Sequence, residues 1–113
     1  MAFSFVFPGQ GSQSIGMQAD LAAEEPVIRE TFTEASDVLG FDLWDLVQSG
    51  PKEALDETVN TQPAMLTAGV ATWRAWRTAG GPNPLMMAGH SLGEYSALVA
   101  SGALAFGDAV SLV

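Results

Sequence analysis

The chain has 113 residues, enough for one domain around a single core, and 48% apolar residues with 12 glycines is ordinary globular composition. Thirteen acids against four bases give a formal charge of -9, which argues against a phosphate-tracking surface and so against nucleic acid as a partner. The absence of cysteine excludes disulfides, thiolate metal sites and cysteine nucleophiles together, and is compatible with a reducing compartment.

The opening "MAFSFVFPGQ" lacks the basic and long apolar segments of a signal peptide, and no apolar run reaches the ~18 residues needed to span a bilayer. A cytoplasmic protein without a membrane partner is expected. "AFSFVF", Ala2 to Phe7, reads as a buried strand stopped by Pro8 and Gly9. After the glycine-rich loop "PGQGSQSIG", "PVIRETFTEASDVLG" predicts an amphipathic helix. Pro26 suits its first turn, Ile28, Phe32, Ala35 and Leu39 share one face, and Gly40 closes it. Short helical turns follow at "DLWDLVQSG" and "PKEALDET", opened by Asp42 and Pro51, the first closed by Gly50.

From Asn60 the pattern predicts the longest helix, capped by Asn60 or Thr61, with Leu66, Val70 and Trp73 on one buried stripe and Gly80-Gly81 at its end. "PLMMAG" reads as a second buried strand, "SLGEYSALVASG" as a helix closed by Gly102, and "DAVSLV" as a helix starting at Asp108. This order implies an α/β architecture with a mainly parallel sheet, residues 1–113 being read as the N-terminal part of one incomplete domain. Trp44, Trp73 and Trp76, at helical spacing, are read as core residues.

"GHSLG", Gly89 to Gly93, satisfies G-x-S-x-G at the junction where chemistry requires it: an apolar strand ends at Gly89 and a helix-forming run begins after Ser91. A serine on such an elbow holds its Oγ exposed, and the flanking glycines let strand and helix approach without Cβ clashes. Ser91 is therefore the candidate nucleophile, and the Leu92 amide, at the helix start, a candidate oxyanion donor. His90 is the single histidine. Neighbouring side chains on a sharp turn diverge, and a general base must come within about 3.2 Å of its proton donor. His90 is assigned to the pocket as a residue that braces the elbow, not as the base. Glu94 is expected to complement the helix N-terminus.

The loop after the first strand invites a nucleotide-binding reading that its spacing refuses. A dinucleotide fingerprint from Gly9 needs glycine where Ser14 stands, and a P-loop spanning Gly11 to Gly16 needs lysine where Met17 stands. A glycine loop at a strand end can instead present a backbone amide to a reacting carbonyl, and Gln10 is the candidate second donor. On these residues alone an acyltransferase, a serine esterase or thioesterase, and a non-catalytic segment in which Ser91 caps a helix all stay open.

Three strings, "FVFPGQGSQSIGM", "TQPAMLTAGVA" and "AGHSLGEYSALVASGAL", resemble the malonyl-CoA:acyl carrier protein transacylases, discrete bacterial malonyltransferases. The resemblance implies an α/β-hydrolase-like large subdomain with a strand-elbow-helix at Ser91, and malonyl transfer through a malonyl-serine. It also implies coenzyme A thioester as substrate with no permanent cofactor or metal, acyl carrier protein as partner, a monomeric full-length protein and a role in fatty acid biosynthesis. Gln10 and Leu92 match the family's oxyanion donors, and Gln62 of "TQPA" becomes a pocket candidate. The likeness covers roughly the first third of the family's length. The ferredoxin-like small subdomain, the histidine base and the malonate-binding arginine are accordingly expected outside these residues, and the isolated segment is expected to be inactive.

Overall fold

A computed structural model describes residues 4–9, 11, 13–82, 84, 86–89 and 92–113. Among these, β1 (Ser4–Phe7) is followed by α1 (Ala19–Glu24), α2 (Pro26–Leu39), α3 (Leu43–Ser49), α4 (Lys52–Asp56) and α5 (Thr58–Thr78), then by β2 (Met86–Gly89), α6 (Gly93–Ala100) and α7 (Phe106–Leu112). β1 and β2 pair in parallel with Ser4 opposite Met86 and Phe7 opposite Gly89, so both strands end at one edge of the sheet. Parallel neighbours need a crossover, and the helices α1 to α5 supply it.

The helical layer forms where both ends of a helix are written in local chemistry. Pro26 occupies the first turn of α2, and Gly40, at φ 84°, closes it with its N–H on the Ser36 carbonyl. The Asp42 carboxylate accepts the Asp45 N–H at 3.0 Å and caps α3. Ile28 and Phe32 of α2 then meet Leu43 and Val47 of α3, Leu55 of α4, Leu66 and Val70 of α5, and Phe106 and Val110 of α7 in one core cluster. Thr31, fully buried among them, donates its hydroxyl to the Val27 carbonyl at 2.7 Å, which removes the cost of an unpaired polar group.

Several expectations are corrected. The first strand is described from Ser4, and it is buried at Phe7 but open at Val6, which is 69% exposed. Side chains alternate along a strand, and among the described residues the face of Phe5 and Phe7 is the covered one while that of Val6 is open. The second strand likewise leaves Ala88 exposed. The long helix starts at Thr58 behind Glu57, not at Asn60 or Thr61. Those two side chains tie α5 back to α4 instead: the Asn60 amide donates to the Ala54 carbonyl at 2.9 Å and the buried Thr61 hydroxyl donates to the Leu55 carbonyl. The last helix begins at Phe106, with Asp108 in its first turn. Ala19–Glu24 forms a helix that the sequence pattern does not announce.

The tryptophans are peripheral to the core. Trp44 packs edge-on to Phe32 at 5.1 Å, and Trp73, only half-buried, meets Phe5 of β1 edge-on at 5.2 Å. Trp76 is exposed; its indole N–H donates to the Pro82 carbonyl at 2.9 Å and its ring occupies the space that a Cβ on Gly81 would need. No helix among the described residues is long and apolar enough to cross a membrane.

Candidate active site

Because Phe7 and Gly89 are register partners, β1 and β2 end side by side at the carboxyl edge of the sheet. That edge is where open parallel α/β sheets place their ligands. Ser91, His90 and Gln10 lie outside the described residues; the residues that flank them are described and define the frame of the site.

Both glycines of the pentapeptide are required by contact. A Cβ on Gly89 would stand 1.9 Å from the Gly93 carbonyl oxygen and 2.4 Å from the Glu94 nitrogen. A Cβ on Gly93 would stand 2.0 Å from the Phe7 oxygen and 3.1 Å from the Pro8 oxygen. Each obstacle is main chain, which no rotamer change can move aside. The end of β2 therefore lies directly on the first turn of α6, and that turn lies directly on the end of β1. The sequence expectation that these glycines permit close approach is met, with a second role added at Gly93, which also seats the helix on the loop after β1.

Leu92 precedes the first residue of α6 with φ -55° and ψ -33°, is buried at 6% exposure, and accepts the Tyr95 N–H at 3.0 Å on its carbonyl. Its own N–H belongs to the group of helix-start amides that have no acceptor within the helix, as an oxyanion donor requires. Glu94 is exposed in this first turn, where its charge complements the helix dipole as expected. One turn on, Ser96 is buried against Gly69 of α5, whose missing Cβ would lie 3.1 Å from the Ser96 Oγ and 3.2 Å from the Phe7 ring. Gly69 thus lets α5, α6 and β1 meet in one place.

The described residues of the loop between β1 and α1 are fastened at several points. The Gly11 N–H donates to Gln13 Oε1 at 2.8 Å, and Gln13 Nε2 donates to Asp56 Oδ1 at 3.0 Å. The Gly16 N–H donates to the Val47 carbonyl at 2.9 Å, and Gln48 Nε2 donates to the Met17 carbonyl at 2.9 Å. Gln18, left-handed at φ 67°, donates its amide to the Ala68 carbonyl at 2.8 Å and to Thr72 Oγ1 at 2.6 Å. Asp56 also accepts from Lys52 Nζ at 2.6 Å. The Lys52 bond first, then the Gln13 bond, holds the Asp56 carboxyl below its usual range, and the Asp56 bond raises Lys52 above its own. Sequence reading names Gln10 as a candidate in this loop and misses these anchors, whose partners outside the loop lie some thirty to fifty residues away in the chain.

Gln62 is half-buried in α5 between the buried Thr61 and Pro63. Among the described residues, no group of His, Cys, Asp and Glu side chains is disposed to hold a metal ion.

The model of the acyl transferase domain family matches residues 4–113. A malonyl CoA-acyl carrier protein transacylase of Salmonella typhimurium is 63% identical over 111 residues, covering 98% of this chain and 36% of that protein. The solved structure of the malonyl CoA-acyl carrier protein transacylase of Coxiella burnetii superposes with a TM-score of 0.98 at 60% identity, over 99% of this chain and 35% of the other. A malonyl-transacylase solved in complex with a type II PKS acyl-carrier protein gives a TM-score of 0.97 at 61% identity, over 99% and 36% respectively. The chain thus spans a little over a third of the length of these relatives. By its matched residues over positions 4–113, and with Gly89 packed on Gly93 at the carboxyl edge of a parallel sheet, this chain belongs to the acyl transferase domain family.

Proposed function

We propose that this chain carries the nucleophilic part of a malonyl-CoA:acyl carrier protein transacylase, with Ser91 as nucleophile. Ser91 Oγ attacks the thioester carbonyl of malonyl-CoA, its proton passes to a base, and the tetrahedral oxyanion is held by the backbone N–H groups of Gln10 and Leu92. Collapse expels the coenzyme A thiol and leaves a malonyl-serine. The phosphopantetheine thiol of acyl carrier protein then attacks the ester, and Ser91 recovers its proton as the malonyl thioester departs. Gln62 and His90 line the pocket, His90 as a brace for the elbow. No permanent cofactor is needed, because the activated group arrives as a thioester. The protein acts in the cytoplasm in fatty acid biosynthesis, as a monomer.

The observation that carries this reading is the packing of Gly89 on Gly93 and of Gly93 on Phe7, which supports a tight strand-to-helix turn centred on Ser91. The names of the relatives support malonyl transfer over hydrolysis. The experiment is to incubate the intact protein with malonyl-CoA and look for a malonyl adduct by mass spectrometry. An adduct absent from Ser91→Ala, stable in water and discharged by acyl carrier protein supports transfer. Prompt hydrolysis of the adduct would assign an esterase instead, and no Ser91-dependent adduct would leave a non-catalytic segment. The 113-residue chain alone is expected to form the adduct slowly or not at all. Serine hydrolase sites that lose their base retain only about 10³ to 10⁴-fold catalysis over water.

A further inference from the structure

We infer that Gln13 is a positioning residue for the loop that carries Gln10, acting as a two-ended clamp between the Gly11 N–H and the carboxylate of Asp56. The inference rests on the reading that this loop supplies an oxyanion donor. One planar amide makes both contacts: Oε1 accepts from Gly11 at 2.8 Å and Nε2 donates to Asp56 Oδ1 at 3.0 Å. The polarity is fixed, because an ionised carboxylate only accepts and therefore requires the nitrogen side of the amide. The other Asp56 oxygen is engaged by Lys52 at 2.6 Å, so the carboxylate is held on both sides.

Gly11 is the residue that most needs such a hold. Its φ of 108° is a conformation that glycine adopts freely, and no atom lies within 4 Å of where its Cβ would be, so packing does not fix it. The Gly11 N–H belongs to the peptide that joins Gly11 to Gln10, and holding that plane restricts the chain one peptide away from the Gln10 N–H. Asp56 stands in α4, which packs on α5, so the clamp refers the loop to the helical layer rather than to itself. Glutamate in place of Gln13 lacks the donor, and asparagine is one methylene shorter.

The test exchanges the polarity of the clamp in the intact protein. Gln13→Glu keeps the acceptor for Gly11 but sets a carboxylate against Asp56. Adding Asp56→Asn supplies a donor: the introduced carboxylate then accepts from both the Gly11 N–H and the introduced amide, whose oxygen still accepts from Lys52. The expected result is a fall in kcat of about tenfold for Q13A and Q13E with KM for malonyl-CoA within about twofold, and recovery of most of the loss in Q13E/D56N but none in Q13A/D56N. Amide exchange at Gly11, read by NMR, is expected to accelerate in Q13A and Q13E and to slow again in Q13E/D56N. Wild-type rates and exchange in Q13A, or equal losses with and without Asp56→Asn, would overturn the inference. Should the wild-type protein transfer no malonyl group, the proposed function fails, and the exchange measurement still decides the clamp.

Discussion

Replacing Gly93 with alanine tests whether the elbow is held by main-chain contact. The new methyl would begin 2.0 Å from the Phe7 oxygen and 2.8 Å from the Phe7 carbon. Restoring an ordinary C···O separation of about 3.3 Å requires α6 to move off the end of β1 by roughly 1.3 Å. Overpacking of this kind costs about 1–3 kcal/mol, and the better helix propensity of alanine returns less than about 1 kcal/mol at a first-turn position. A net loss of about 1–2 kcal/mol is expected, lowering the melting temperature by several degrees. Since a displacement of about 1 Å can cost on the order of 10²-fold in rate, the proposed acylation of Ser91 should fall much further than the fraction folded. Gly107→Ala in α7 is the comparator, because its methyl would meet only Val38 of α2, at 3.9 Å, and should be neutral or stabilising. Thermal melts and malonyl-adduct rates measured on both variants check this. A Gly93→Ala protein with the stability and acylation rate of Gly107→Ala would show that the elbow does not depend on this approach.

Two further outcomes are expected. Asp42→Ala should cost about 1 kcal/mol in urea titrations by freeing the Asp45 N–H, and Asp42→Asn should recover most of it. The Asp56 carboxyl, lowered by Lys52 and Gln13, contributes stability that is present above the ordinary carboxylate pKa and is lost as pH falls through its depressed folded value. Lys52, raised by Asp56, contributes stability present below its ordinary pKa and lost as pH rises through its folded value, so the pair spans neutral pH. In Lys52→Met the Asp56 titration followed by carbon NMR should move up toward the ordinary range; an unmoved titration would refute the assignment of Lys52 as the larger cause.

The parts of the fold legible in sequence are those whose signals are local. Pro26 and Gly40 mark both ends of α2, and Asp42 marks the start of α3, because capping partners sit within one turn. Gly89 and Gly93 are legible in the same way, as a motif whose glycines have a steric purpose at that spacing. The start of α5 is not, since Asn60 and Thr61 spend their polar groups on α4 carbonyls instead of capping. Nor is α1: its six residues are too short to show a period, and Gln18 before them is left-handed, with its side chain on Ala68 and Thr72 of α5. The half-open state of β1 is hidden because an apolar run does not say which face a neighbouring layer will cover. Gln10 is a candidate that its flanking glycines suggest, whereas the anchoring of its loop through Gln13 depends on Asp56, forty-three positions on.

The pairing of Phe7 with Gly89 also has a kinetic side. The two strand ends are separated by roughly eighty residues, and closing a loop of that length costs entropy that only a pre-formed intervening structure reduces. Helices α2 to α5, with α2 packed on α5 as well as on its chain neighbour α3, close shorter loops than the β1–β2 ladder, and contacts that close shorter loops form sooner. Assembly is therefore expected to proceed from the helical layer outward, with the sheet edge closing after it. On a ribosome, the first strand emerges long before its partner exists, and its ladder waits until β2 has been made. Substitutions that slow α2–α5 packing would lengthen that wait and should show as lower yield of folded protein rather than as altered chemistry at the proposed nucleophile, Ser91.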